Sequence, residues 1–241
     1  MASAAEQLAA NFNFGSISKA KELRSRIWFT LGALIVARIG TYIPMPGIDP
    51  AALAVQIQQQ GGGLLDVFNT LAGGAVNRMA IFALGIMPYI SASIIMQLMT
   101  TVFPELEALK KEGAAGQKVI NQYTRYFTVA LAMIQAWGIA LGLEHFGGAA
   151  HIVIHPGMFF RIGAVITLTG GTMLLMWIGE QITSRGIGNG MSLIIFAGIV
   201  ARFPQLIGQT MEQARTGAVS PLLLIFFLVF MVALVGFIVF M

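Results

Sequence analysis

Glu144, His145, His151 and His155 crowd into one short stretch, and imidazole beside carboxylate is a donor set that suits transition metals. A metal site is conceivable there, but solvated or interfacial loop histidines are the simpler reading. The longer apolar stretches hold a single charge, Arg38, and snorkelling or pairing within a helix bundle explains it better than substrate binding. The chain has no His-Glu-x-x-His zinc helix, no paired aspartates and no Gly-Lys-Ser/Thr phosphate loop. It has no cysteine, which removes disulfides, thiolate metal sites and cysteine nucleophiles together. The sequence therefore reads as a non-enzyme with no cofactor and no metal, whose informative features lie in the backbone. Pro88 is predicted to sit near the middle of an apolar helix, kink it and free the carbonyl of Leu84. Gly138-x-x-x-Gly142 and Gly170-Gly171 are the spacings that let neighbouring helix backbones approach.

The elements that carry these residues belong in lipid. Of the 241 residues, 57% are apolar and 10% charged, where a soluble domain carries about 25% charged. The 14 Lys and Arg and 10 Asp and Glu are too few to coat a soluble fold of this size. Crossing the hydrocarbon takes roughly 20 mostly apolar residues. Runs near that length occur at Ile27–Ile43, Met79–Met99, Tyr126–Leu143, Ile162–Gly179, Ile187–Ala201 and Ser220–Met241, uncharged but for Arg38. The fifth is short and follows a glycine cluster.

Lys19, Lys21, Arg24 and Arg26 precede the first run, and Lys110, Lys111, Lys118 and Arg125 follow the second. The intervening outward segments are poor in bases, so the N-terminus and loops 100–125 and 180–186 are expected on the cytoplasmic side. Segments 44–78, 144–161 and 202–219 are expected opposite. A cleaved signal peptide is disfavoured, because Arg38 interrupts the apolar stretch and Tyr42–Gly47 offers no small-x-small site. The last run stops at Met241 without a flanking charge, and we expect a truncated sequence. Between the first two runs, Gly61-Gly62-Gly63 precedes a short apolar segment that ends in Ala72-Gly73-Gly74-Ala75. It is too short to span, leaving a re-entrant piece or a helix lying flat on the outer leaflet.

Several long runs together resemble bacterial SecY, over its N-terminal half. They are Arg38-Ile39-Gly40 with Ile43-Pro44-Met45-Pro46-Gly47-Ile48-Asp49, the run from Ile81 to Ile95, Lys110-Lys111-Glu112-Gly113, Gln122–Tyr126, and Gly179-Glu180-Gln181-Ile182-Thr183-Ser184-Arg185-Gly186-Ile187-Gly188-Asn189-Gly190. The resemblance implies an all-α polytopic membrane protein, here the five-span half of a ten-span inverted-repeat channel plus most of a sixth span. An odd number of spans inverts the succeeding repeat, which agrees. Residues 1–26 would be a cytoplasmic segment, 27–203 the first half of the channel, and 204–241 an outward loop with the sixth span.

The resemblance further implies a central subunit of the Sec translocation channel, passing unfolded preproteins across the membrane and releasing hydrophobic segments sideways. Its partners would be SecE and SecG, the SecA motor, the ribosome, signal sequences and lipid, with no nucleic-acid binding. The membrane would be the bacterial inner membrane.

Residues 64–76 would be the plug that seals the channel from outside, comprising Leu64, Leu65, Asp66, Val67, Phe68, Asn69, Thr70, Leu71, Ala72, Gly73 and Gly74 with the two residues that follow. This favours the re-entrant reading. Ile86, Ile90, Met191 and Ile195 would be the pore ring, each pair spaced i, i+4 on one helical face. Met191 stands where isoleucine is usual, and its flexible side chain predicts a softer seal. Pro88, Ser91 and Gln135 would lie on the lateral gate. A secondary transporter half shares the broken helices, but it would need a polar midplane site that these runs lack. An intramembrane hydrolase would need a nucleophile and base, or metal ligands, at depth.

Overall fold

The computed structural model describes residues 21–49, 52, 53, 55, 69–146, 152–216 and 221–240. These form helices α1 (Lys21–Gly40), α2 (Met87–Val102), α3 (Pro104–Lys111), α4 (Ala114–Phe146), α5 (Met158–Arg185), α6 (Gly190–Arg215) and α7 (Pro221–Phe240). The described residues contain no β-strand, and the fold is all-α. Residues up to Ile199 make one compact unit, and those from Val200 make a second.

Stretches Ala114–His145, Met158–Arg185 and Gly190–Glu212 are long and apolar enough to cross a membrane. The fifth apolar run, short in the sequence, is therefore the core of a longer helix. α6 begins at Gly190, continues past Ala201 through an internal Pro204 and ends at Arg215, so much of the expected 202–219 loop is helical. Asn189 starts it, its Oδ1 accepting from the backbone N–H groups of Met191 at 3.0 Å and Ser192 at 3.2 Å.

The second run is not one kinked span. Residues 81–86 run as turns, with Gly85 at φ 58°, and α2 begins at Met87 with Pro88 in its first turn. Proline is at home there, because a first-turn residue has no intrahelical N–H bond to lose and its fixed φ is already helical. The kink expected at mid-span becomes the start of a helix.

A short strap joins the segments at one end of the first unit. After α1 ends at Gly40, three residues before the apolar run does, residues 43–49 pass between two partners. Met45 N–H donates to the Met79 carbonyl at 2.9 Å and Ile81 N–H to that of Ile43 at 3.0 Å. Further along, Asp49 N–H donates to the Ile152 carbonyl at 2.9 Å and Ile154 N–H to that of Gly47 at 3.1 Å. The Pro-Met-Pro-Gly motif suits this role, since Gly47 turns at φ 88° and Met45 buries its side chain in the core.

α4 packs against α2 and α5, and α1 against α5. The α4 face that makes the close approach is an alanine stripe, Ala132, Ala136 and Ala140, all fully buried. Gly138, expected to serve that purpose, faces open space, whereas Gly171 on α5 does lie against the Ile81 carbonyl. Two apolar cores result. One gathers Met45, Ile48, Ala136, Ala140 and Leu168, and the other Phe82, Ile86, Ile178, Ile182 and Met191.

Candidate functional site

Four positions singled out by spacing and resemblance come together. Ile86 and Met191 are buried in one apolar cluster, and Ile90 and Ile195 pack against it half-buried. Two different local devices place the pairs. The turns before α2 set Ile86 at its N-cap and Ile90 in its first turn, and the Asn189 cap sets Met191 and Ile195 on the first turns of α6. The hairpin into α6 is anchored by Thr183, whose hydroxyl accepts from Gly190 N–H at 2.8 Å and donates to the Gly179 carbonyl at 2.9 Å. Thr30 of α1 accepts from Ile187 N–H at 3.2 Å. The conspicuous glycines of this hairpin have steric reasons: the Met191 sulfur sits against Gly179, and Gly190 lies on the Gly179 carbonyl.

A cavity of about 770 Å³ opens beside this cluster. Ile86, Ile90 and Ile195 line it, as do Ser91 on α2 and Gln135 on α4. Leu71 and Ala72 close part of its wall. Met191 does not reach it and is turned into the packing against Gly179. Pro88 is fully buried at the head of α2 and does not line it either. Gly138 and Gly142 do line it, so their missing side chains leave volume instead of joining helices. Its walls are almost wholly hydrocarbon, offering water and ions few hydrogen-bonding partners.

The described part of the 64–76 segment, from Asn69 onward, is folded against the cluster; Leu64, Leu65, Asp66, Val67 and Phe68 lie outside the described residues. Asn69 is fully buried and organises the turn: its carbonyl accepts from Gly74 N–H at 2.7 Å and its Oδ1 from Asn77 N–H at 3.0 Å. Arg38, in the last turn of α1, donates to the carbonyl of Gly73. Of the two expectations for Arg38, snorkelling or pairing within the bundle, this is the second, and no sequence signal marked its partner. Tyr42 lies beneath two guanidiniums, with Arg78 4.2 Å and Arg38 5.3 Å from its ring centroid.

Two ion pairs join α4 to α5 near opposite ends of those helices. Arg125 meets Glu180 at 2.7 Å. Glu144, the carboxylate of the possible metal cluster, is occupied by Arg161 at 2.7 Å and by Gly157 N–H at 2.9 Å. His145 directs Nδ1 at the Leu141 carbonyl, 2.8 Å away, and His151 lies outside the described residues.

Residues 80–241 match the SecY family model. The chain belongs to the SecY family. It is 55% identical over 219 residues to protein translocase subunit SecY of Escherichia coli K12, covering 91% of this chain and 49% of that relative. Against the SecY of Rickettsia typhi it is 52% identical over 229 residues, covering 95% and 53%. The chain thus spans about half the length of these SecY relatives. A solved structure described as Sec61 in the canine ribosome-channel complex superposes with a TM-score of 0.51 at 17% identity, over 80% of this chain and 38% of that one. A second, "The structure of a protein conducting channel", gives the same figures. At that identity the likeness shows a shared fold.

Proposed function

We propose that this chain supplies the N-terminal half of the central subunit of a Sec protein translocation channel. The observation that carries this reading is the shared cavity: positions on α2, α4, α6 and the 69–74 segment, assigned by resemblance to ring, gate and plug, line or close one apolar space of about 770 Å³. Ile86, Ile90 and Ile195 serve as this half's contribution to an apolar ring facing the cavity, and Met191, the fourth position assigned by resemblance, supports it from its packing against Gly179. Such a ring excludes ions by denying them hydration, and it grips a passing chain only through dispersion contacts that ignore sequence. Residues 64–76 stopper it from outside, and Ser91 and Gln135 with α2 and α4 form one face of the lateral gate. SecE, SecG, the SecA motor and the ribosome are the partners of the complete channel. Lys19, Lys21, Arg24 and Arg26 ahead of the first apolar run, and Lys110, Lys111, Lys118 and Arg125 between the second and third, support a cytoplasmic N-terminus in the bacterial inner membrane.

Crosslinking within the complete channel tests this. A photoreactive side chain at Ile90 is expected to capture a preprotein arrested in transit, whereas one at Leu174, exposed on α5 away from the cavity, captures lipid. Capture of the arrested chain from Leu174 and not from Ile90 would reject the assignment.

A further inference from the structure

Arg38 is the one charge inside the apolar runs, and its surroundings give it an unusual task. It lies in the last turn of α1, half-buried, and among the described residues no carboxylate pairs with it. A buried or half-buried cation without a counter-ion is costly unless other groups replace its water. Three groups do so here: the carbonyl of Gly73, the face of Tyr42 at 5.3 Å, and the negative end of the α1 dipole. Only the first belongs to the 64–76 segment. A hydrogen bond from a guanidinium is among the stronger ones a backbone carbonyl accepts.

The contact is also sterically exclusive. Gly73 has φ 65°, and a Cβ on it would meet Arg38 Nη1 at 2.6 Å and Gly198 Cα at 3.1 Å. Beside it lies a void of about 50 Å³ bounded by Leu34, Arg38, Leu71, Ala72, Ile194 and Gly198. Among its described residues, Gly73 thus takes a directional bond from Arg38, while Leu71 and Ala72 border a small void. We propose that Arg38 is a positioning residue that latches the plug shut through the Gly73 carbonyl. This rests on reading residues 64–76 as the plug. The latch is releasable, because when Gly73 leaves, Arg38 keeps the Tyr42 ring and the helix dipole, and water entering the opened pore replaces the lost carbonyl. Lysine would hold only part of this arrangement: an ammonium can reach a carbonyl, but it lacks the planar fork that donates to the carbonyl while keeping a face toward an aromatic ring.

The test uses the complete channel with its partner subunits, in four forms: Arg38→Met, Arg38→Lys, deletion of 64–74, and that deletion with Arg38→Met. Resting ion conductance in planar bilayers is read first. Arg38→Met is expected to raise it several-fold and Arg38→Lys by less, while Arg38→Met adds nothing once the plug is deleted. A polarity-sensitive fluorophore on Ala72→Cys is read second, and it should report a wetter setting in Arg38→Met. Deletion without effect on conductance would reject the plug reading, while the fluorophore still tests the contact. Unchanged conductance and fluorescence in Arg38→Met, or an equal increase with and without the plug, would overturn the latch. Should Arg38→Met fail to accumulate, Arg38→Lys decides alone, because wild-type values in both measurements would reject the proposal.

Discussion

A Cα–H of Gly198 on α6 faces Gly73 so closely that a Cβ built on Gly73 would stand 3.1 Å from the Gly198 Cα. The same is true in reverse, since a Cβ on Gly198 would meet the Leu71 carbonyl at 3.3 Å and Gly73 Cα at 3.5 Å. Two backbones in contact leave the 69–74 segment no way to yield to a side chain except by moving away.

Gly198→Val is therefore expected to unseat that segment. Valine's two γ carbons extend beyond a Cβ already at the contact limit, and the neighbour they meet is backbone, which cannot change rotamer. Resting conductance of the complete channel should rise. A wild-type conductance for Gly198→Val would show that the glycine pair does not support the seal.

Polar substitution at the ring is expected to ease opening, and Ile86 at the N-cap of α2 and Ile90 in its first turn differ in what they report. Ile86 is 5% exposed, so Ile86→Asn buries an amide and loses stability of about 1–3 kcal/mol in addition to any gating effect. Ile90 is half-buried and faces the cavity, so Ile90→Asn offers water a partner at less structural cost. Ile90→Asn should increase basal ion flux and export of a reporter with a defective signal sequence. Leu174→Asn on the exposed side of α5 serves as the comparison, and an effect there without one at Ile90 places the constriction elsewhere.

Met191→Ile and Gly179→Val separate shape from chemistry. Met191 and isoleucine are both apolar and of similar volume, and Met191 is packed against Gly179 away from the cavity. Met191→Ile should leave conductance and Tm nearly unchanged. Gly179→Val drives a side chain into the Met191 sulfur and costs about 1–3 kcal/mol. Thermal unfolding of the purified channel checks both, and equal Tm values for the two variants would contradict this account of the packing.

The Glu144 staple should matter more than its ion pair alone. Its side chain is 8% exposed and holds both Arg161 and the Gly157 N–H, so Glu144→Ala strands a cation and a backbone donor together. Arg161→Met removes only the cation, whose side chain is 32% exposed. Glu144→Ala is expected to lower Tm by more than Arg161→Met, and the reverse order would mean that the Gly157 bond contributes nothing.

Composition and hydrophobic runs alone determined that the chain lives in lipid and is helical, because roughly 20 apolar residues without charge have few other stable fates. Helix limits were less legible. The α6 start was not legible in its apolar run, which begins at Ile187, because the cap is Asn189 inside that run. Periodicity does not distinguish a continuous apolar helix from turns followed by a helix, so only tertiary contacts decided that residues 79–86 are tied to the 43–49 strap and that Pro88 opens α2. Glycine spacing was equally ambiguous, since Gly138 and Gly171 look alike in sequence. One lines a cavity and the other touches the Ile81 carbonyl, depending on which segment lies opposite. Arg38 shows the limit most plainly. Its charge in an apolar run required a partner for physical reasons, but the partner is the carbonyl of Gly73, 35 residues away. A backbone carbonyl exists at every position, so no residue type announces it, and only the folded chain selects which one the guanidinium meets.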